Sequence, residues 1–158
     1  MKAAPHTLAA IIMALVVAVL PIGANADDQC RRPGTPMEAK ALAEEAAAHL
    51  AKEGMGKAFN DFMQPDKGFM PYDLYVFVID DQGRMWVNGR FPGMIGSNIG
   101  AGGDVMGKAI TRARREGSAW AEYQWYNPCS GSPMPKSTYI LRAGEFFIGV
   151  GAYGRLSA

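Results

Sequence analysis

Apolar and polar positions change their spacing three times along this chain. Leu8 to Leu20 is an unbroken apolar run of 13 residues, preceded by Lys2 and His6 and followed by Pro21. From Met37 to about Glu53 the residues Leu42, Ala46, His49 and Leu50 recur at helical spacing within an Ala-, Glu- and Lys-rich stretch. Pro36 stands at the first position of that helix, where its missing N–H does no harm. Gly54 interrupts the pattern, and Lys57 to Met63, carrying Phe59, Phe62 and Met63, predicts a second short helix. Gln64-Pro65-Asp66-Lys67-Gly68 is a turn.

The pattern then becomes that of strands. Leu74 to Asp80 is nearly all β-branched or aromatic, Asp80-Asp81-Gln82-Gly83 is a tight turn, and Arg84 to Asn88 returns as the second arm of a hairpin. The glycine-rich stretch 89–103 predicts a loop. Asp104 caps a helix to about Glu116, with Val105, Ala109, Ile110 and Ala113 inward and Lys108, Arg112, Arg114 and Arg115 outward. Trp120 to Tyr126, Lys136 to Arg142 and Phe146 to Tyr153 predict three strands joined by turns at 128–135 and 143–145, an antiparallel meander. Five antiparallel strands with a long N-terminal helix on one face make an α+β domain without internal repeats.

Composition sharpens this. With 158 residues, 49% of them hydrophobic and 20% charged, the chain suits one packed domain. A net charge of +1 argues against nucleic acid, which needs a clustered excess of Lys and Arg. The basic start, the short apolar run and Ala24-Asn25-Ala26 form the pattern of a signal peptide cleaved near Ala26. A spanning helix wants roughly 20 apolar residues, so a retained anchor is disfavoured and no stable membrane span is expected after cleavage. Acidic and polar Asp27-Asp28-Gln29 before Cys30 argue against a lipid anchor. Removal of residues 1–26 takes away one lysine and no acid, which leaves a neutral protein, periplasmic or secreted. The expected organisation is a signal peptide over 1–26, a flexible segment over 27–35, a single domain over 36–153 and a tail over 154–158.

Export changes the meaning of Cys30 and Cys129, both of which survive cleavage into an oxidising compartment. Two cysteines allow one intramolecular pairing. The bridge would staple a Pro/Gly-rich start to the Asn-Pro-Cys-Ser-Gly-Ser-Pro loop. A metal site or a nucleophilic thiol is the alternative. No CxxC occurs and no His or acid stands at ligand spacing, so a metal is disfavoured, and the structural disulfide is preferred on the ground of compartment.

The order of elements also carries recognisable sequence. Leu74-Tyr75-Val76-Phe77-Val78, then Asp80-x-x-Gly83 and Gly96-x-Asn98, resembles the first half of a single Cache domain of the second type. Trp120-x-Glu122-Tyr123-x-Trp125-x-Asn127-Pro128, then Pro135-Lys136-x-Thr138-Tyr139 and Ile148-Gly149-Val150-Gly151-x-Tyr153, resembles its second half, so the resemblance spans roughly Thr35 to Tyr153. It implies a PAS-like five-stranded sheet and an extracytoplasmic sensor of small ligands, often short organic acids. Most relatives are sensor halves of chemoreceptors or histidine kinases, whereas this chain reads as a free-standing exported domain, so a membrane receptor, kinase or transporter is the expected partner. Relatives commonly carry His-Pro after the second strand; here Asn88-Gly89-Arg90-Phe91-Pro92 leaves Arg90 or Asn88 to take over that polar role.

Strand alternation places Tyr75, Phe77 and Ile79 on one face, and Tyr123 and Trp125 on one face of the third strand, opposite Trp120, Glu122 and Gln124. A small anion needs a few convergent donors in an apolar wall. Lys136 offers a point charge, Arg90 a bidentate fork, and tyrosine hydroxyls directional bonds, while Trp86 and Trp125 exclude water. The expected ligand contacts are therefore Tyr75, Phe77, Trp86, Arg90, Tyr123, Trp125, Lys136 and Tyr139. Each also has a plainer role: strand aromatics fill cores, and Lys136 suits a solvated strand edge. Alternation puts Lys136 and Tyr139 on opposite faces unless a bulge intervenes.

Other chemistry is thin. His49 lacks a second mature histidine or a G-x-S-x-G motif, so no catalytic residue is assigned and no enzyme is expected. Gly100-Ala101-Gly102-Gly103 resembles an anion nest but lacks nucleotide-binding context. The methionines are too scattered for a copper(I) site. No cofactor and no metal are expected. The leading expectation is a small-molecule sensor, with a carboxylate as the favoured ligand. An exported enzyme acting on a small acid, or a structural or interaction module, is the alternative.

Overall fold

Thr35 starts the long helix that the sequence predicts. In the computed structural model, which describes residues 29–99 and 104–156, α1 runs Pro36–Glu53. The Thr35 side chain accepts from the Glu38 N–H, and Glu38 accepts from the Thr35 N–H at 2.9 Å, a reciprocal capping box. Arg32 pairs with Glu38 and pulls its carboxyl down to about 2. Gly54, at φ 78°, ends α1 and starts α2 (Met55–Phe62). The leader expected over 1–26 and the Gly100–Gly103 stretch lie outside the described residues.

The strands are β1 (Val76–Asp80), β2 (Met85–Asn88), β3 (Ser118–Asn127), β4 (Ser132–Ala143) and β5 (Phe146–Tyr153), with α3 (Val105–Glu116) between β2 and β3. They form one five-stranded antiparallel sheet in the order β2-β1-β5-β4-β3. The last strand therefore returns to the centre and joins the N-terminal hairpin to the C-terminal meander. All eight residues of β5 are buried, which is why its sequence runs apolar without alternating. β3 and β4 are longer than the sequence predicts. Pro133 and Pro135 are tolerated because β4 pairs there with β3 alone, its pairing with β5 beginning at Lys136.

Each face of the sheet has its own core. On one, Leu42 and Ala46 of α1 and Phe59 and Phe62 of α2 pack on Val76, Val78, Ile148 and Val150. On the other, Met106, Ile110 and Ala113 of α3 pack near Tyr75, Phe77, Ile79, Ile140 and Phe147. The inward face of α3 begins at Met106, not at the expected Val105, which is 46% exposed. Met106 stands three, four and seven residues before Ala109, Ile110 and Ala113 and so shares their face, below an Asp104 cap that accepts from the Gly107 N–H at 2.7 Å.

Two glycines shape the α3 face. A methyl group at Gly149 would overlap the Phe77 ring, and one at Gly151 would overlap the Lys136 stem and the Thr138 hydroxyl. Gly149→Ala is expected to cost about 1–3 kcal/mol by overpacking. Gly56→Ala, on α2 with open space around it, is expected to gain up to about 1 kcal/mol. Denaturant melts of the two variants check the opposite signs, and equal shifts would contradict the packing at Gly149.

Candidate ligand-binding site

The α3 face leaves a cavity of about 260 Å³ between the sheet, the N-terminal end of α3 and the segment after β2. Tyr75 and Phe77 form one wall, Met85 and Asn88 of β2 a second, Tyr123, Gln124 and Trp125 of β3 a third. Ile99, Asp104, Val105 and Met106 close the helix side. The volume lies just below the roughly 300–1,000 Å³ of drug-sized sites, which suits a small metabolite with an apolar body. Asp104 is spent on capping α3.

Beside it lie buried tyrosine hydroxyls and the amine of Lys136, which lines not this cavity but a separate hollow with Glu122, Tyr123, Gln124 and Pro135. Tyr123 donates to or accepts from Thr138 Oγ1 at 2.9 Å, and burial pushes its phenol up to about 12. Burial raises the Tyr75 phenol further, with charge repulsion from the Tyr153 and Tyr123 hydroxyls adding to the effect. Lys136, paired across the sheet with Tyr123 on one side and Tyr153 on the other, is 1% exposed. Its Nζ sits 3.9 Å from the centre of the Tyr75 ring and 4.7 Å from that of Tyr153. It has no hydrogen-bond partner. Desolvation drives its pKa well below the lysine value, opposed only at longer range by Asp73. The Asp73 carboxylate is itself bonded to the Gly34 N–H at 2.6 Å.

A family model described as Single Cache domain 2 matches residues 12–154. The chain belongs to this family. Among solved structures it is similar to a periplasmic sensor domain of a chemotaxis protein, at 22% identity and TM-score 0.53, over 75% of this chain and 90% of that one. A methyl-accepting chemotaxis protein from Vibrio parahaemolyticus matches at 20% identity and TM-score 0.60, over 74% and 86%. A Cache chemosensory domain, solved for its recognition of carboxylic acids, matches at 16% identity and TM-score 0.52, over 75% and 88%. Likeness at this level of identity shows a shared Cache fold. No match was found among curated proteins. Cache domains are sensory rather than catalytic. No helix among the described residues is long and apolar enough to cross a membrane, and no group of His, Cys, Asp or Glu among them could hold a metal ion.

In this Cache domain the eight expected contact residues separate into three groups. Tyr75, Phe77, Tyr123 and Trp125 line the cavity. Lys136 lies directly behind Tyr75, buried between two rings instead of standing at a solvated edge, because β4 is flanked by both β3 and β5. Trp86, Arg90 and Tyr139 lie off the cavity. The β1–β2 register passes from Val78↔Val87 to Ile79↔Met85, so Trp86 is the extra, unpaired residue of a bulge. Its ring packs on Phe146 and its Nε1 donates to Asp80 at 3.0 Å, at the rim of a separate, more polar hollow. Tyr139 faces the α1 side, 5.1 Å from the Trp120 ring, as strict alternation from Lys136 requires. The Arg90 guanidinium is committed to Gln29 and to the sulfurs of a Cys30–Cys129 disulfide, at 3.6 and 3.9 Å.

Sequence reasoning missed the cavity's contributions from Met85, Met106, Ile99 and Gln124. Met106 was passed over in favour of Val105 at the start of the inward face, whose later positions Ala109, Ile110 and Ala113 were expected. Asn88, a polar residue closing a strand otherwise buried except at Trp86, was the readable signal on β2. His49 has a structural role: its Nε2 meets Asp61 Oδ2 at 2.8 Å, and Lys57 reaches the same oxygen at 2.6 Å. Lys57 first and His49 second hold the Asp61 carboxyl below its ordinary value.

Proposed function

We propose that this Cache domain is a non-enzymatic, extracytoplasmic sensor that binds a small organic acid in the 260 Å³ cavity and relays its occupancy to a separate membrane receptor, kinase or transporter. The observation that carries the ligand class is the buried, unpartnered Lys136 amine, whose Nζ lies 3.9 Å from the ring centre of the cavity residue Tyr75. A charge removed from water without a partner is costly, and a carboxylate is the counter-charge that relieves it. Turning the Tyr75 ring aside would open the path between them. The cleaved leader near Ala26 and the periplasmic or secreted location belong to the same proposal, and N-terminal sequencing of the exported protein checks the cleavage point.

Thermal melts of the protein over residues 27–158 against short carboxylates, amino acids and amines test the ligand class. A ligand at 100 times its Kd adds roughly 2.7 kcal/mol, a shift of several degrees for a domain of this size. Carboxylates are expected to raise the melting temperature and matched amines to leave it unmoved. Silence across all compounds would instead favour a structural module, and consumption of an added acid would favour an exported enzyme.

A further inference from the structure

We infer that the outer edge of β3 takes up an extended acidic segment of a partner protein as a sixth strand. Neither the cavity nor Lys136 takes part, so this docking stands apart from the small-acid reading. A sheet edge presents unpaired N–H and C=O groups that pair with other chains unless they are covered. One edge of this sheet is covered. β2 has four residues, and its outer side bonds to the segment after it, Met85 N–H to the Ser97 carbonyl and Gly96 N–H to the Met85 carbonyl, both at 2.8 Å. At the other edge, β3 runs ten residues in unbroken register with β4 and contains no proline, lysine or bulge. The Arg142 N–H donates to the Gly117 carbonyl at 2.8 Å, one step before the pair Ser118↔Leu141. Backbone groups alternate along an antiparallel ladder. Ala119, Ala121 and Tyr123 therefore bond to β4, while Ser118, Trp120, Glu122 and Gln124 turn their backbone groups outward. Among the described residues no further backbone bond satisfies these outward groups.

The helix beside this edge sets the chemistry of the occupant. A hollow of about 160 Å³ runs between them, lined by Val105, Lys108, Ala109 and Arg112 of α3 and by residues 120–122 of β3. Lys108 and Arg112 are exposed and have no ion-pair partner among the described residues, unlike Arg115, which pairs with Glu116 at 3.3 Å. Glu122 does not neutralise them. Its carboxylate is turned to the opposite face, where it accepts from Ser137 Oγ at 3.1 Å and from the Leu156 N–H at 2.8 Å. The two cations stand one helical turn apart, about 6 Å of rise over four residues. Side chains on one face of a strand repeat every roughly 6.5–7 Å. A strand on the β3 edge with acids at i and i+2 thus meets both cations, its main-chain bonds supplying affinity and its acids specificity. A second copy of this chain is disfavoured by charge. Antiparallel pairing of two β3 edges brings both α3 helices to one face and sets Lys108 and Arg112 against their own copies.

The probe is a short, end-capped peptide alternating glutamate and valine, titrated at neutral pH into isotope-labelled exported protein. The backbone amide resonances of Trp120, Glu122 and Gln124 are expected to shift saturably, and their hydrogen exchange to slow. Lys108→Glu combined with Arg112→Glu, both at exposed positions, should weaken this binding at least about tenfold, because like charges then face each other. The same double variant should take up a lysine–valine peptide that the wild-type protein refuses. Backbone N-methylation separates strand pairing from simple charge attraction. With all glutamates or all valines methylated, one peptide should lose binding and the other keep it, since the N–H groups of alternate residues point to opposite edges of a strand. Methylated peptides that behave alike would overturn the added strand. A monomeric wild-type protein that leaves the glutamate–valine peptide unbound would overturn the site. A wild-type dimer with the Trp120, Glu122 and Gln124 amides already protected would give this edge to a second copy and overturn the partner assignment.

Discussion

Replacing Lys136 with methionine is expected to stabilise the ligand-free protein and to abolish its melting shift with carboxylates. The Nζ is fully enclosed, has no hydrogen-bond partner and rests on the rings of Tyr75 and Tyr153. The ring faces favour the charged form by about 2 kcal/mol or more when desolvated, still less than the roughly tens of kcal/mol that an isolated ammonium loses on leaving water. Methionine keeps the stem that fills the space over Gly151 and removes that cost. Even exchange of a buried ion pair for packed apolar groups can gain about 1–4 kcal/mol, and Lys136 has no partner to offset its desolvation. The pH dependence follows in sign. Burial lowers the folded-state pKa, so between that value and the ordinary 10.5 the unfolded chain binds more protons and wild-type stability rises with pH. The advantage of Lys136→Met should therefore shrink as pH approaches 10.5. A carboxylate brought next to Lys136 favours its charged form, so any proton exchanged on binding should be taken up and not released, measurable by calorimetry in buffers of different ionisation enthalpy. Unchanged stability together with unchanged carboxylate shifts in Lys136→Met would remove Lys136 from the site.

Opening the Cys30–Cys129 disulfide is expected to have the other large effect. The bridge joins positions 99 residues apart, and closing a loop of that length restricts the unfolded chain by roughly 4.7 kcal/mol in the chain-entropy account. Measured losses on removing native bridges run about 2–5 kcal/mol, or roughly 2–8 °C per kcal/mol for domains of this size. The bridge also organises its surroundings. Arg90 reaches both sulfurs and Gln29, Phe91 meets the Tyr75 and Tyr126 rings edge to face, and Tyr153 donates to the Tyr126 carbonyl at 2.6 Å. Cys30→Ser with Cys129→Ser should lower the melting temperature and weaken ligand binding together, because Phe91 and Tyr126 support the Tyr75 wall. Identical melting of the oxidised and dithiol-reduced wild-type protein would show that the bridge contributes little.

The two largest effects fall on residues that the sequence marks for different reasons. Cys30 and Cys129 could be paired before any fold was known, because two cysteines in an oxidising compartment have one partner each. Lys136 could not be placed. Its neighbours along the chain suit an edge strand, and only the return of β5 to the centre of the sheet covers β4 on its second side. The same holds for Arg90, whose fork shape fits a carboxylate but whose guanidinium is taken by Gln29 and the disulfide.

What the sequence determined by itself was local and periodic: the capped helices, the strand order along the chain, the turn glycines, the side of the sheet to which Tyr75, Phe77, Tyr123 and Trp125 point, and the opposition of Lys136 and Tyr139. These follow from backbone sterics and from side-chain periods of 3.6 and 2, which neighbouring residues set. The tertiary structure alone decided which strands lie side by side and where a bulge sends Trp86 to the other face. Those depend on hydrogen bonds and burial between residues far apart in the chain, so no local pattern carries them. That is why the apolar wall and Lys136 could be named from the sequence, while the burial of Lys136 between two rings was decided only when the sheet was assembled.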